Sequence, residues 1–118
     1  MKHRLLFERL PPSVNARYEV YRGRMILKAE YRDWLKGAAQ DVAFYCAQNN
    51  LKPIEKYTVV ELWWILPNHR IEHHNLEKPL FDALQRGGAF KNDRFVLNRT
   101  IEVTVVKDKE GVTMEFEG

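Results

Sequence analysis

Apolar positions recur along this chain with two different periods, and the switch between them outlines the fold. Residues 29–48 carry Tyr31, Trp34, Leu35, Ala38, Val42, Tyr45 and Cys46 at steps of three and four. That spacing lays one apolar stripe along an α-helix. Asn49-Asn50 follows as a stop signal. Residues 76–86 repeat the pattern at shorter length, with Leu76, Leu80, Ala83 and Leu84 on one face and Gly87-Gly88 behind them as a cap. Pro79 then has to lie in the first turn, where its missing N–H breaks no helical bond.

Elsewhere the period is two. Residues 4–9 alternate as a short strand and end at Leu10-Pro11-Pro12, where two ladder donors are lost. Residues 17–20 and 25–27 flank Tyr21-Arg22-Gly23-Arg24, which reads as a hairpin with Gly23 at positive φ. Residues 57–66 are rich in β-branched and aromatic side chains and predict a largely buried strand, ended by Pro67. Trp63 and Trp64 face opposite ways on it, one toward the core and the other toward an interface. Residues 100–107 and 112–117 alternate around Asp108-Lys109-Glu110-Gly111, predicting a second hairpin. Its core face would hold Ile101, Val103, Val105, Val112, Met114 and Phe116. The order is strand, hairpin, helix, strand, helix, hairpin. It predicts an α+β domain with a mixed or antiparallel sheet and two helices packed on it. With 118 residues, the whole chain 1–118 is one domain.

Composition narrows the class. With 45% hydrophobic and 30% charged residues the chain is globular, not disordered. Its longest apolar runs, 62–66 and 42–47, are too short to cross a bilayer, and Glu8 and Arg9 interrupt any signal-peptide core. Cys46 stands alone, which excludes an internal disulfide and a cysteine-rich metal site; we expect it as an inert helix-face residue. A soluble, cytoplasmic protein with no membrane partner is expected. The net charge of +3 conceals a division. Residues 1–36 hold nine basic against four acidic side chains, and residues 100–118 hold two against five. A basic N-terminal third suits a phosphate backbone, although a solvated surface has the same composition.

The polar residues crowd into Asn68-His69-Arg70-Ile71-Glu72-His73-His74-Asn75-Leu76-Glu77-Lys78, between a buried strand and a helix. In extended chain Glu72 and His74 share a face, close enough to share an ion, while His73 points away. Lys78 lies about a helical turn beyond His74, and Asp93 arrives after the second helix. Two carboxylates, an imidazole and a lysine suit metal-assisted hydrolysis, in which the ion activates water and lysine offsets phosphate charge. Residue chemistry alone leaves two other readings open. One is a solvated loop. The other is a structural Zn²⁺ held by His69, Glu72, His73 and His74. Asn75 reads as a helix N-cap or a DNA contact, and Asp82 as a supporting or structural residue. Phe90 and Phe95 flank Asp93 and read as core, or as a wedge against unstacked bases.

Two motifs in this order resemble the RusA family of Holliday junction resolvases, and the similarity covers most of the chain. Leu10-Pro11-Pro12-Ser13-Val14-Asn15-Ala16-Arg17-Tyr18 resembles the family's Pro-Pro-Ser-x-Asn-x-x-Tyr signature. Gly23-Arg24 and Tyr31-Arg32 fit it as well. The run from Glu72 to Leu84, followed by Gly88 and Asn92-Asp93, resembles the family's Asp-x-Asp-Asn-x-x-Lys-x-x-x-Asp-Ala-Leu pattern with its later acidic pair. Asn75, Lys78, Asp82, Ala83 and Leu84 keep the family's residue and spacing.

The resemblance implies a homodimeric, Mg²⁺-dependent endonuclease that resolves four-way DNA junctions by paired cuts in recombination and repair. It implies Glu72, His74 and Asp93 as metal ligands, with Lys78 joining them in catalysis. Asn15, Arg17, Arg22, Arg24, Arg70, Asn75 and Lys78 are the expected DNA contacts. The pattern is altered at 72, where glutamate replaces aspartate, and at 74, where histidine replaces it. Asn92 removes a further charge. An imidazole favours Mn²⁺, Co²⁺, Ni²⁺ or Zn²⁺ over Mg²⁺, which prefers oxygen ligands. The alternative to retuning is a weak or inactive relative that binds branched DNA without cutting it.

Overall fold

The computed structural model describes residues 1–13 and 18–118, with the backbone alone for Tyr18–Tyr21 and Arg24–Leu27. The main sheet is built from β1 (Lys2–Phe7), β4 (Thr58–Leu66), β5 (Val96–Val105) and β6 (Gly111–Glu117), in the order β1-β6-β4-β5. β4 runs parallel to β5 and antiparallel to β6, and β6 is antiparallel to β1. The sheet is therefore mixed. β2 (Tyr18–Tyr21) and β3 (Arg24–Leu27) form a separate antiparallel hairpin. Its turn has Arg22 and Gly23 at φ 51° and 76°, the two positive values that a tight hairpin turn with the native twist requires.

α1 (Ala29–Gln48) has the bounds its apolar spacing predicts and buries Tyr31, Leu35, Ala38, Val42 and Cys46. α2 (Glu77–Arg86) buries Pro79, Leu80, Ala83 and Leu84, with Pro79 in the first turn. β4 supplies the facing wall through Val60, Leu62, Trp64 and Leu66, all at most 3% exposed. Phe90 is fully buried, so it is core and no wedge. Phe95 is half-buried edge-on to Tyr57, with ring centroids 5.6 Å apart. Gly87 sits where α2 meets α1: a Cβ there would lie 2.4 Å from the Val42 Cβ.

The last two strands correct the expected hairpin. β5 starts at Val96, four residues earlier than its alternation suggests, and is bonded only to β4 among the described strands. β6 inserts between β1 and β4. The parallel β4–β5 pair needs a crossover, and α2 provides it. Val112, Met114 and Phe116 are buried as predicted, and Val105 packs partly against the core. Ile101 and Val103 are about 40% exposed instead. A bulge accounts for Ile101: Leu62 pairs with Thr100 and Trp63 with Glu102, so Ile101 is skipped, whereas Val103 stays opposite buried Trp64 and is exposed because β5 is the outer strand. β5 is also the sheet edge, with exposed residues on both faces.

Candidate active site and metal centre

The polar loop begins where β4 ends. Arg70 N–H donates to Asn68 Oδ1 at 2.9 Å, turning the chain back toward the sheet. The extended backbone stops at Glu72 (φ −96°, ψ 115°), and His73–Leu76 is one 3-10 turn leading straight into α2. Asn75 N–H donates to the Glu72 carbonyl at 3.1 Å, which closes that turn. This corrects the alternation expected across residues 72–74. His73 does not point away from His74; their rings lie 4.0 Å apart. His73 also packs 5.9 Å from the ring of Trp64, whose buried indole N–H has no partner among the described residues. His74 Nδ1 lies 3.3 Å from Glu77 Oε1, and Asn98 Nδ2 donates to Glu77 Oε2 at 2.9 Å. One ligand atom from each of His73, His74 and Glu77 lies within 4.8 Å of the other two. Burial, then repulsion from His74, holds the His73 imidazole below its ordinary pKa, against an opposing pull from Glu77. Its neutral form is favoured, the form that binds metals.

Lys78 stands beside this group on the first turn of α2. Its Nζ is 2.6 Å from Asp93 Oδ2 and 2.9 Å from Asp82 Oδ1. Lys78 and Asp82 meet because four residues bring side chains to one helix face. Asp93 reaches them because the chain reverses at Gly88 (φ 87°) and opens a short 3-10 turn, Asp93–Phe95. Asn92 caps that turn by accepting from Arg94 N–H at 2.9 Å. Asp93 N–H donates to Gln85 Oε1 at 2.9 Å, and Tyr31 O–H donates to Asp82 at 3.4 Å. The bonds to Asp93 and then to Asp82 raise the Lys78 pKa against a smaller desolvation effect. Lys78 is a fixed cation at neutral pH, with about half its side chain open to solvent.

The remaining expected residues fall into place unevenly. Glu72 is exposed and accepts from Asn75 Nδ2 at 3.4 Å. Asn75 makes no cap bond to α2, because the 3-10 turn already occupies the position before the helix. The ligand atoms of Glu72, His74 and Asp93 are not gathered within 4.8 Å of one another: His74 has turned to Glu77 and Asp93 to Lys78. Arg70 and Glu72 line a cleft of about 320 Å³ with Pro11, Ser13 and Asn75. The described part of the Pro-Pro-Ser motif therefore meets the central motif in space. Arg22 is exposed in the hairpin turn, and Arg24 pairs across the strands with Tyr21. Asn15 and Arg17 lie outside the described residues. Glu77 is absent from the expected ligands, and His73 enters them only in the zinc reading. Glu77 stands three residues after His74, the one signal for it, and that spacing has meaning only if the loop is already helical.

A larger cleft, about 1170 Å³, lies between the end of β1 and α1. Among the described residues, Glu8, Glu30, Asp33, Asp41 and Glu110 line it with Arg9, an acidic lining that disfavours phosphate.

A compact mixed-sheet domain with clustered carboxylates, imidazoles and a fixed lysine at the end of its central strand is suited to phosphodiester hydrolysis. The family described as Endodeoxyribonuclease RusA matches residues 9–117, nearly the whole chain. The chain belongs to this family of metal-dependent endodeoxyribonucleases, whose role is at Holliday junctions. No curated protein matches the chain. No helix among the described residues is long and apolar enough to cross a membrane.

Proposed function

We propose that this protein is a divalent-metal-dependent endonuclease that resolves four-way DNA junctions, working as a homodimer. The observation that carries this reading is Lys78, held by the carboxylates of Asp82 and Asp93 on the helix that follows the imidazole–carboxylate loop. A bound divalent ion supplies charge against a phosphate oxygen and a more acidic water. Glu72, His74 and Asp93 are the residues we propose to hold it, with Mg²⁺ or, because of His74, Mn²⁺ or another transition ion. Asp93 shares its carboxylate with Lys78. When Asp93 serves the ion, Asp82 still anchors the lysine and Nζ is free to meet the phosphate. Lys78 then stabilises charge that grows as the phosphorus becomes crowded. Arg70, beside Glu72 in the cleft, and Asn15, Arg17, Arg22, Arg24 and Asn75 are the proposed DNA contacts; phosphate contacts of this kind position a duplex without reading its sequence.

Paired cuts need two sites, and one small domain carries one. The outer edge of β5, unpaired among the described strands, supports self-association. Because of its bulge, Leu97, Arg99, Glu102 and Thr104 lie on one face, opposite Val59, Glu61, Trp63 and Ile65 of β4. An antiparallel two-fold pair of β5 edges would set Arg99 of each copy against Glu102 of the other. Such an interface is isologous and fixes the distance between the two sites.

The test is cleavage of a mobile four-way junction with Mg²⁺, Mn²⁺, Co²⁺ and Zn²⁺, with Asp93→Asn as control. Paired, symmetric, metal-dependent products that vanish in Asp93→Asn are expected. Tight, salt-sensitive junction binding with no products under any ion would leave the reading of a non-cutting relative in its place.

A further inference from the structure

Beyond the nuclease reading, the geometry points to a transition-metal site made of His73, His74 and Glu77, selective for a Zn²⁺-like ion over Mg²⁺. The ligand set is two imidazole nitrogens and one carboxylate oxygen, which suits borderline ions and not a hard one that demands oxygen. The spacing fits. With bonds of about 2.0–2.2 Å, ligand atoms of a tetrahedral site stand roughly 3.4 Å apart. His74 Nδ1 and Glu77 Oε1 are already at 3.3 Å. One ligand atom from each of the three residues lies within 4.8 Å of the other two, so His73 joins the pair with a small adjustment.

The surroundings hold these ligands as a metal site needs. Asn98, reaching across from β5, donates to the Glu77 oxygen that His74 does not use, which orients the carboxylate. His73 is braced against the buried Trp64 ring. The 3-10 turn places both histidines and the start of α2 on one rigid segment. Three protein ligands leave the fourth tetrahedral position for an oxygen ligand.

The site shares His74 with the metal ligands proposed above, but neither Glu72 nor Asp93, so the two assignments separate cleanly. Zinc is titrated into the full chain in the presence of excess Mg²⁺. Imidazole ¹⁵N resonances report which rings bind, and calorimetry gives affinity. His73 and His74 should shift together at one ion per chain, while buried His3 and exposed His69 stay unmoved. His73→Ala and Glu77→Gln should each weaken zinc at least about tenfold, with Asn98→Ala falling in the range of about 10–100-fold expected for an orienting partner. Glu77→Gln keeps an oxygen for Asn98 and guards against a merely unfolded variant. Asp93→Asn should leave zinc affinity unchanged. The proposal is overturned if zinc fails to bind. It is also overturned if His73→Ala spares binding while Asp93→Asn removes it, because the ion then sits on Glu72, His74 and Asp93. Junction cleavage plays no part in this readout, so a chain that cuts no DNA can still carry the site.

Discussion

At the scale of the residue, the proposed chemistry rests most on Lys78. Its place in the motif marks it in sequence, and the structure adds the two carboxylates that hold it, Asp82 one turn along the same helix and Asp93 from the segment after it. Lys78→Met should reduce junction cleavage about a hundredfold or more, the range for losing one fixed donor to developing charge. Junction binding measured at the same salt should fall far less. Stability should fall by no more than about 1 kcal/mol, because both ion pairs are screened by solvent. The sign with pH follows from the raised lysine pKa. Stabilisation by Lys78 is fully present below the ordinary lysine value of about 10.4 and is lost as pH rises through the higher folded value. Urea midpoints of the native chain and Lys78→Met should keep a constant gap around neutral pH and converge in strong alkali. The altered residues Glu72 and His74 were readable from sequence, because they sit inside a motif. Glu77 was not, because its three-residue spacing from His74 brings the two together only once the loop is a 3-10 turn, and His73 was grouped with His74 only in the zinc reading.

At the scale of the element, both helices were legible because each buries a stripe wide enough to impose its period. The spacing of residues 29–48 matches α1 in full, and the face of Leu76, Leu80, Ala83 and Leu84 is the buried face of α2 and its entry turn. β5 was misread because its exposed edge and its bulge free its side chains from the alternation a buried strand obeys. Two glycines separate packing from propensity. Gly87→Ala forces a Cβ to within 2.4 Å of Val42 and should destabilise by about 1–3 kcal/mol or more, as α1 and α2 are pushed apart. Gly37→Ala meets nothing within 4 Å on the exposed side of α1 and should stabilise by about 0.5–1 kcal/mol. Chemical denaturation of the pair reads both, and a destabilised Gly37→Ala with an unaffected Gly87→Ala would contradict this packing.

At the scale of the molecule, the distribution of charge and the open sheet edge matter more than the net value. The larger cleft is lined mainly by carboxylates among the described residues, so the DNA contacts proposed above lie on other surfaces. Two-fold pairing through β5 has a direct test. Ile101 and Leu97 are 41% and 46% exposed, so Leu97→Lys with Ile101→Lys removes apolar surface from the edge at little cost to the fold. Sedimentation should show a dimer for the native chain and a monomer for the double variant, with unchanged circular dichroism. The monomer should nick junctions on one strand at a time instead of cutting in pairs. A double variant that stays dimeric would place the interface on another surface.

The sequence by itself determined the α+β class, the extent of both helices, the hairpin turn at Arg22-Gly23 and the family to which the chain belongs. These follow from local periodicity, turn chemistry and motif spacing, which need no distant partner. Only the tertiary structure decided the strand order, with β6 between β1 and β4, and the neighbours of each polar side chain. A crossover and a one-turn change of loop geometry are non-local outcomes. They are set by which apolar faces close on one another, and they move a histidine from the far side of a loop to the side of its neighbour.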